Sequence, residues 1–124
     1  MYDAAVTAPQ SITNNGGTIT AVSGGIGLAA VKGTTNPGFT ITIRNSGTIN
    51  ANGVSSTSTP SIGIFTDVAD VINTGIINVG SNGIGIYSKY NGVLTSVQND
   101  NMTMTGNNGI GVYLKGATAG LTSK

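Results

Sequence analysis

The side chains that carry most enzyme chemistry are scarce in this chain. It has no histidine and no cysteine, and its acids are Asp3, Asp67, Asp70 and Asp100 alone. Without His or Cys, a Ser/His or Cys/His nucleophile system cannot be assembled, and disulfides and thiolate metal sites are excluded. Glycan cleavage needs clustered acids with a basic partner on one face. Asp67 and Asp70 lie three residues apart, which in a strand puts them on opposite faces. Calcium-binding glycine-rich repeats need an Asp in each turn, and the turns here lack one. Gly25-Ile26-Gly27 and Gly83-Ile84-Gly85 are not followed by the helix that a dinucleotide fingerprint requires. Asn101-Met102-Thr103 fits a glycosylation sequon, a match expected by chance in so Asn- and Thr-rich a chain. No catalytic residue, metal ligand or cofactor site is assigned, and the chain is not expected to be an enzyme.

The remaining chemistry is that of contact. Phe65, Tyr87 and Tyr113 recur at one place in a repeat, with Ala29 at the equivalent earlier position. Such a column is either a binding ridge or cross-strand stacking, which stabilises sheets by about 0.2–1 kcal/mol per pair. If a contact site exists, it is expected at Phe65, Tyr87 and Tyr113, with the polar tract 55–60 second. Asp67, Lys89 and Lys115 align at one offset after their tetrads, and Asp67 could pair with Lys89 across adjacent coils.

Positioning these residues requires a regular scaffold, and composition indicates its type. The 124 residues include 20 Gly, 14 Asn and 18 Thr, and the apolar positions are mainly Ile, Val and Ala. β-Branched residues favour strands, while Gly and Asn tolerate tight turns. Only 7% of residues are charged, and net charge is +1, so steering toward nucleic acid or anionic lipid is not expected. No apolar run approaches the roughly 18 residues of a membrane span. The N-terminus lacks a signal peptide's basic and apolar regions, and the chain reads as a segment of a longer protein.

One tetrad recurs as Gly25-Ile26-Gly27-Leu28, Ser61-Ile62-Gly63-Ile64, Gly83-Ile84-Gly85-Ile86 and Gly109-Ile110-Gly111-Val112. Each follows a strand opened by Asn15, Asn45, Asn73 or Asn99. The offset from that Asn to the tetrad Ile is 11 residues in copies one, three and four and 17 in copy two, where 55–60 forms a loop. A third strand precedes each next Asn, over Phe39–Ile43, Val68–Ile72 and Val93–Val97. With Asn-to-Asn spacings of 30, 28 and 26, the fold class is all-β: a right-handed parallel β-helix, or β-solenoid, with three strands per coil and about four coils. No 3.6-residue period competes. Residues 1–124 form a single domain, with repeats at approximately 15–44, 45–72, 73–98 and 99–124.

Alternation along strands puts Ile26/Leu28, Ile62/Ile64, Ile84/Ile86 and Ile110/Val112 inward, with Ile19, Ile49, Ile77, Ile41/Ile43, Ala69/Val71 and Val93/Val97. Thr95 is then a polar member of the last ladder. Gly27, Gly63, Gly85 and Gly111 point outward. Met102 and Met104 fall out of phase, so either Thr103 and Thr105 face in or a bulge resets the register; the bulge is preferred, because buried Thr needs partners. Asn15, Asn45, Asn73 and Asn99 are expected to form an amide ladder along the axis.

The combination Asn-x-Gly-x-Ile-Asn, a Gly or Asn-Gly turn, and Gly-Ile-Gly-Ile-Tyr or Gly-Val-Tyr-Leu-Lys-Gly resembles the passenger repeats of type V autotransporter adhesins, above all the very large outer-membrane adhesins of anaerobic Gram-negative bacteria. It is clearest over Asn73 to Lys89 and Asn107 to Gly116 and looser over 15–116. Copy one departs most, with Leu28-Ala29-Ala30 where the pattern has an aromatic. The resemblance implies a structural or adhesive stalk on the bacterial cell surface, part of a longer secreted chain exported through a C-terminal β-barrel. Its implied partners are host-cell or bacterial surface proteins or glycans, without nucleic acid and without membrane insertion of this segment. A second reading is a self-assembling solenoid filament, because open coil ends favour end-to-end self-association. A third, ice binding, is suggested by Thr18-Ile19-Thr20 and Thr40-Ile41-Thr42, but the column continues as Thr48/Asn50, Ile76/Asn78 and Met102/Met104 rather than as a threonine array.

Overall fold

The computed structural model describes residues 9–33, 40–53, 59–92, 94–116 and 120–123, the last stretch as backbone alone. The strands in chain order are β1 (Gln10–Asn14), β2 (Thr18–Val22), β3 (Ile26–Ala30), β4 (Ile41–Asn45), β5 (Thr48–Asn52), β6 (Ser61–Thr66), β7 (Ala69–Asn73), β8 (Ile76–Val79), β9 (Gly83–Lys89), β10 (Ser96–Asn99), β11 (Met102–Met104), β12 (Ile110–Lys115) and β13 (Gly120–Ser123). They build three parallel sheets with orders β1-β4-β7-β10-β13, β2-β5-β8-β11 and β3-β6-β9-β12. The chain is an all-β solenoid with three strands per coil, as expected, and of about three turns rather than four. Each strand pairs only with its equivalents in neighbouring coils, so the backbone groups of an inner rung are used on both sides.

The core is the shared interior of the three sheets. Ile43, Ile49, Ile64, Ile77 and Ile86 are fully buried, as are Val71 and Val79. Burying each such side chain stabilises the fold by about 1.5–3 kcal/mol. Val97 continues the ladder above Val71, and Thr95, buried beside it, shares a 2.9 Å hydrogen bond with Ser88. Val93, expected in the same ladder, lies outside the described residues.

The third strands begin and end later than expected. They are Ile41–Asn45, Ala69–Asn73 and Ser96–Asn99, so the corner asparagine ends one strand rather than opening the next. At the next corner, Asn82 (φ 52) and Asn108 (φ 57) take the left-handed conformation just before the glycine of the tetrad. That backbone region tolerates Asn and Gly, which explains the recurring Asn-Gly.

The alternation assumed for the tetrads fails at their central glycine. A Cβ on Gly27 would lie 3.2 Å from Ile19 Cγ2 and 3.4 Å from Ile49 Cγ2, and one on Gly63 would lie 3.2 Å from Ile49 Cγ2. These glycines therefore face inward, not outward. Leu28, Ile64, Ile86 and Val112 also face the core, so two consecutive positions point inward and the strand bends. None of Ile26, Ile62, Ile84 and Ile110 belongs to the contiguous core cluster: Ile26 is 46% and Ile110 44% exposed, Ile62 is half-buried, and Ile84, between two neighbouring rungs, is buried. Close approach requires the glycine, because a Cβ on Gly63 would sit 2.6 Å from the carbonyl oxygen of Gly85.

Coil four resets its register at the corner. Met102 aligns with Ile77, Thr103 with Asn78 and Met104 with Val79, because the corner after Asn99 is one residue shorter than that after Asn73. Met102 packs against the core, and Thr103 stays exposed. The reset is thus a missing corner residue rather than an inserted one.

Candidate functional site

Two features recur rung by rung. One is a corner of buried amides. Asn14 Nδ2 donates to Asn45 Oδ1 (2.8 Å), Asn45 Nδ2 to Asn73 Oδ1 (2.7 Å) and Asn73 Nδ2 to Asn99 Oδ1 (2.8 Å). The same amides donate to the carbonyls of Gly17, Gly47 and Gly75, which closes each corner. All four asparagines are buried, Asn73 completely. The head of the ladder is Asn14, not Asn15. Asn15 is exposed, and its Oδ1 accepts from Ser46 Oγ at 3.3 Å. The first corner holds one additional residue, which is accommodated by Gly16 at φ 76, so Asn14 ends its strand as Asn45 does. The amides of Asn14, Asn45 and Asn73 are thus spent on the next asparagine and on the corner carbonyls.

The other feature is the outer face of β6, β9 and β12. Ala29, Phe65, Tyr87 and Tyr113 align in register. The Phe65 and Tyr87 centroids are 5.3 Å apart at an interplanar angle of 87°, and those of Tyr87 and Tyr113 are 4.9 Å apart at 69°. Both are edge-to-face contacts, worth about 0.5–1.5 kcal/mol each beyond area burial. Phe65 and Tyr87 are half-buried by one another, and Tyr113 is 41% exposed. The structure thus brings the three aromatic residues into one continuous column. Most of the tract 55–60 lies outside the described residues.

The column beyond the rings carries charge. Lys115 aligns with Lys89 in the neighbouring rung, and both are exposed. Asp67, whose pairing with Lys89 was anticipated, is committed elsewhere. Its Oδ1 accepts from the Lys32 amide (2.6 Å) and its Oδ2 from Asn91 Nδ2 (3.0 Å), while Lys32 Nζ donates to the Asn91 carbonyl (2.9 Å). Asp67 is buried at 6% exposure, so it ties the coil exits together from within. Asp70, on another sheet, accepts from the Ser96 amide (2.7 Å) and hydroxyl (2.9 Å). The two acids therefore serve separate backbone-fixing roles.

Sequence reasoning missed one polar row. Asn50 Nδ2 donates to Thr20 Oγ1 (3.3 Å), and Asn78 Nδ2 donates to Asn50 Oδ1 (2.9 Å). Its signal was the Thr20, Asn50, Asn78 column itself. Among the described residues no group of three or more His, Cys, Asp or Glu is placed to hold a metal ion. No protein-family model, no curated protein and no solved structure matches this chain.

Proposed function

We propose that this chain is a structural and adhesive segment of a bacterial surface-displayed autotransporter passenger, a stalk that presents the Phe65, Tyr87 and Tyr113 column to a host-cell or bacterial surface. The observation that carries this reading is a continuous aromatic column on the outside of a repeating scaffold. Side chains that the core does not need are repeated on three successive rungs, and the last ring remains 41% exposed. The resemblance of Asn73 to Lys89 and Asn107 to Gly116 to autotransporter passenger repeats supports the cellular setting. Asp67 and Asp70 are engaged in fixing backbone.

The test is binding of the fluorescently labelled chain to epithelial and bacterial cells, alone and with Phe65, Tyr87 and Tyr113 all changed to Ala. Circular dichroism establishes that the variant is folded, and Tyr113→Ala alone serves as the milder substitution. Loss of cell binding is expected. Undiminished binding by the folded triple variant would overturn the reading. Reading the flanking coding sequence for a downstream β-barrel tests the passenger assignment separately.

A further inference from the structure

We propose that the outer face of β6, β9 and β12 binds a linear acidic glycan lying along the solenoid axis, with Tyr87 and Tyr113 against sugar rings and Lys89 and Lys115 on its carboxylate or sulfate groups. The proposal rests on the contact-surface reading above and assigns that surface a ligand class.

The first observation is a repeated pair. Tyr87 and Lys89 are two residues apart in β9, with the fully buried Ser88 between them, so both project outward. Tyr113 and Lys115 repeat this in β12, where the intervening Leu114 packs on the core. The strands align Tyr with Tyr and Lys with Lys. An aromatic ring and a cation therefore recur one rung apart, about 4.8 Å along the axis. A periodic surface of this kind suits a polymer that repeats its own ring and charge.

The second observation is charge left uncompensated among the described residues. Like charges directly opposite one another in a sheet are destabilising. The acid in the neighbouring rung, Asp67, has both carboxylate oxygens occupied by Lys32 and Asn91. Asp70 is held by Ser96, and Asp100 Oδ1 accepts from Gln98 Nε2 at 3.4 Å, both away from this face. An anion bridging Lys89 and Lys115 would relieve their repulsion and form charge-assisted hydrogen bonds.

The third observation separates a glycan from an extended acidic peptide. A peptide gains much of its affinity by adding a strand to a sheet edge. Here β9 is paired on both sides, with β6 and β12. Among the described strands of this sheet on that side only β12 has a free edge, and the tyrosines and lysines lie on the face rather than along that edge, where contact is through side chains. Tyrosine rings pack on the apolar face of a sugar while their hydroxyls meet its hydroxyls.

The experiment is isothermal titration of the whole chain with a heparin oligosaccharide and with an uncharged malto-oligosaccharide of equal length, at low and at physiological salt. The Lys89→Gln/Lys115→Gln and Lys89→Arg/Lys115→Arg pairs are titrated alongside. Heparin is expected to bind, more weakly as salt rises, and malto-oligosaccharide is not. The Gln pair should weaken binding by about tenfold or more, with the Arg pair close to the parent. Unchanged binding by the Gln pair, or equal binding of the neutral sugar, would overturn the proposal. So would tighter binding of phosphatidylserine vesicles or oligo-dT than of heparin. Cell binding that persists without heparin binding removes the acidic glycan alone and leaves the adhesive reading standing. Heparin binding by a chain that binds no cell does the reverse.

Discussion

The asparagine corner and the tyrosine–lysine face are built by the same repetition and have opposite characters. At the corner, Asn14, Asn45, Asn73 and Asn99 are buried, and each is hydrogen-bonded to the next. On the outer face, rings contact rings but remain partly exposed, and Lys89 and Lys115 stand side by side. A repeated residue is a fold determinant when its polar groups are consumed within the repeat. It is a candidate for recognition when they are left facing solvent. Regularity alone does not distinguish the two, but hydrogen-bond partners do.

The largest effect expected on the scaffold side is from Gly63→Ala. Its Cβ would meet the Gly85 carbonyl oxygen at 2.6 Å, backbone against backbone between two inner rungs. A loss of about 4 kcal/mol, or failure to recover soluble protein, is expected; a thermal melt within a few degrees of the parent would refute the inward placement of the glycine column.

Next come the two adjacent asparagines, which give the comparison its sharpest internal control. Asn14→Ala removes donations to Gly17 O and Asn45 Oδ1 and is expected to cost about 1–3 kcal/mol in urea unfolding. Asn15→Ala touches only an exposed 3.3 Å contact and should stay within about 0.5 kcal/mol. Equal losses would remove Asn14 from the head of the ladder. The smallest effect belongs to the outer face. Lys89→Gln/Lys115→Gln should leave stability unchanged or raise it by a few tenths of a kcal/mol, because it relieves a like-charge pair. A loss above about 1 kcal/mol would show that these lysines serve the fold.

The same comparison explains what could be read from the sequence. The period, the three-strand coil and the aromatic column were legible because each is set by residue type at a fixed spacing: Asn-Gly turns, β-branched strands, and an aromatic after each later tetrad. The facing of the tetrads was not. A glycine has no Cβ to declare its side, so strict alternation assigned Gly27, Gly63, Gly85 and Gly111 outward when close packing draws them in. Asn15 stands two residues before a glycine, as Asn45 and Asn73 do, but the extra residue at Gly16 shifts the ladder position by one, to Asn14. The phase of Met102 depended on a corner one residue short, which appears only when coils are laid on one another. The fate of Asp67 was hidden for a similar reason: Lys32 and Asn91, its partners, come from two other coils.

The division of labour between corner and face is tested most directly by equilibrium urea unfolding of Asn73→Ala. Asn73 is fully buried, accepts from Asn45, and donates to Asn99 Oδ1 and the carbonyls of Gly75 and Asn101. Its removal takes one of two acceptors from the Asn45 amide, which keeps Gly47 O, and takes the side-chain donor from Asn99 Oδ1 and from the carbonyls of Gly75 and Asn101 at the centre of the stack. A loss of about 3 kcal/mol is expected. A loss below about 0.5 kcal/mol, the range of a surface substitution, would contradict the claim that the corner holds the coils together.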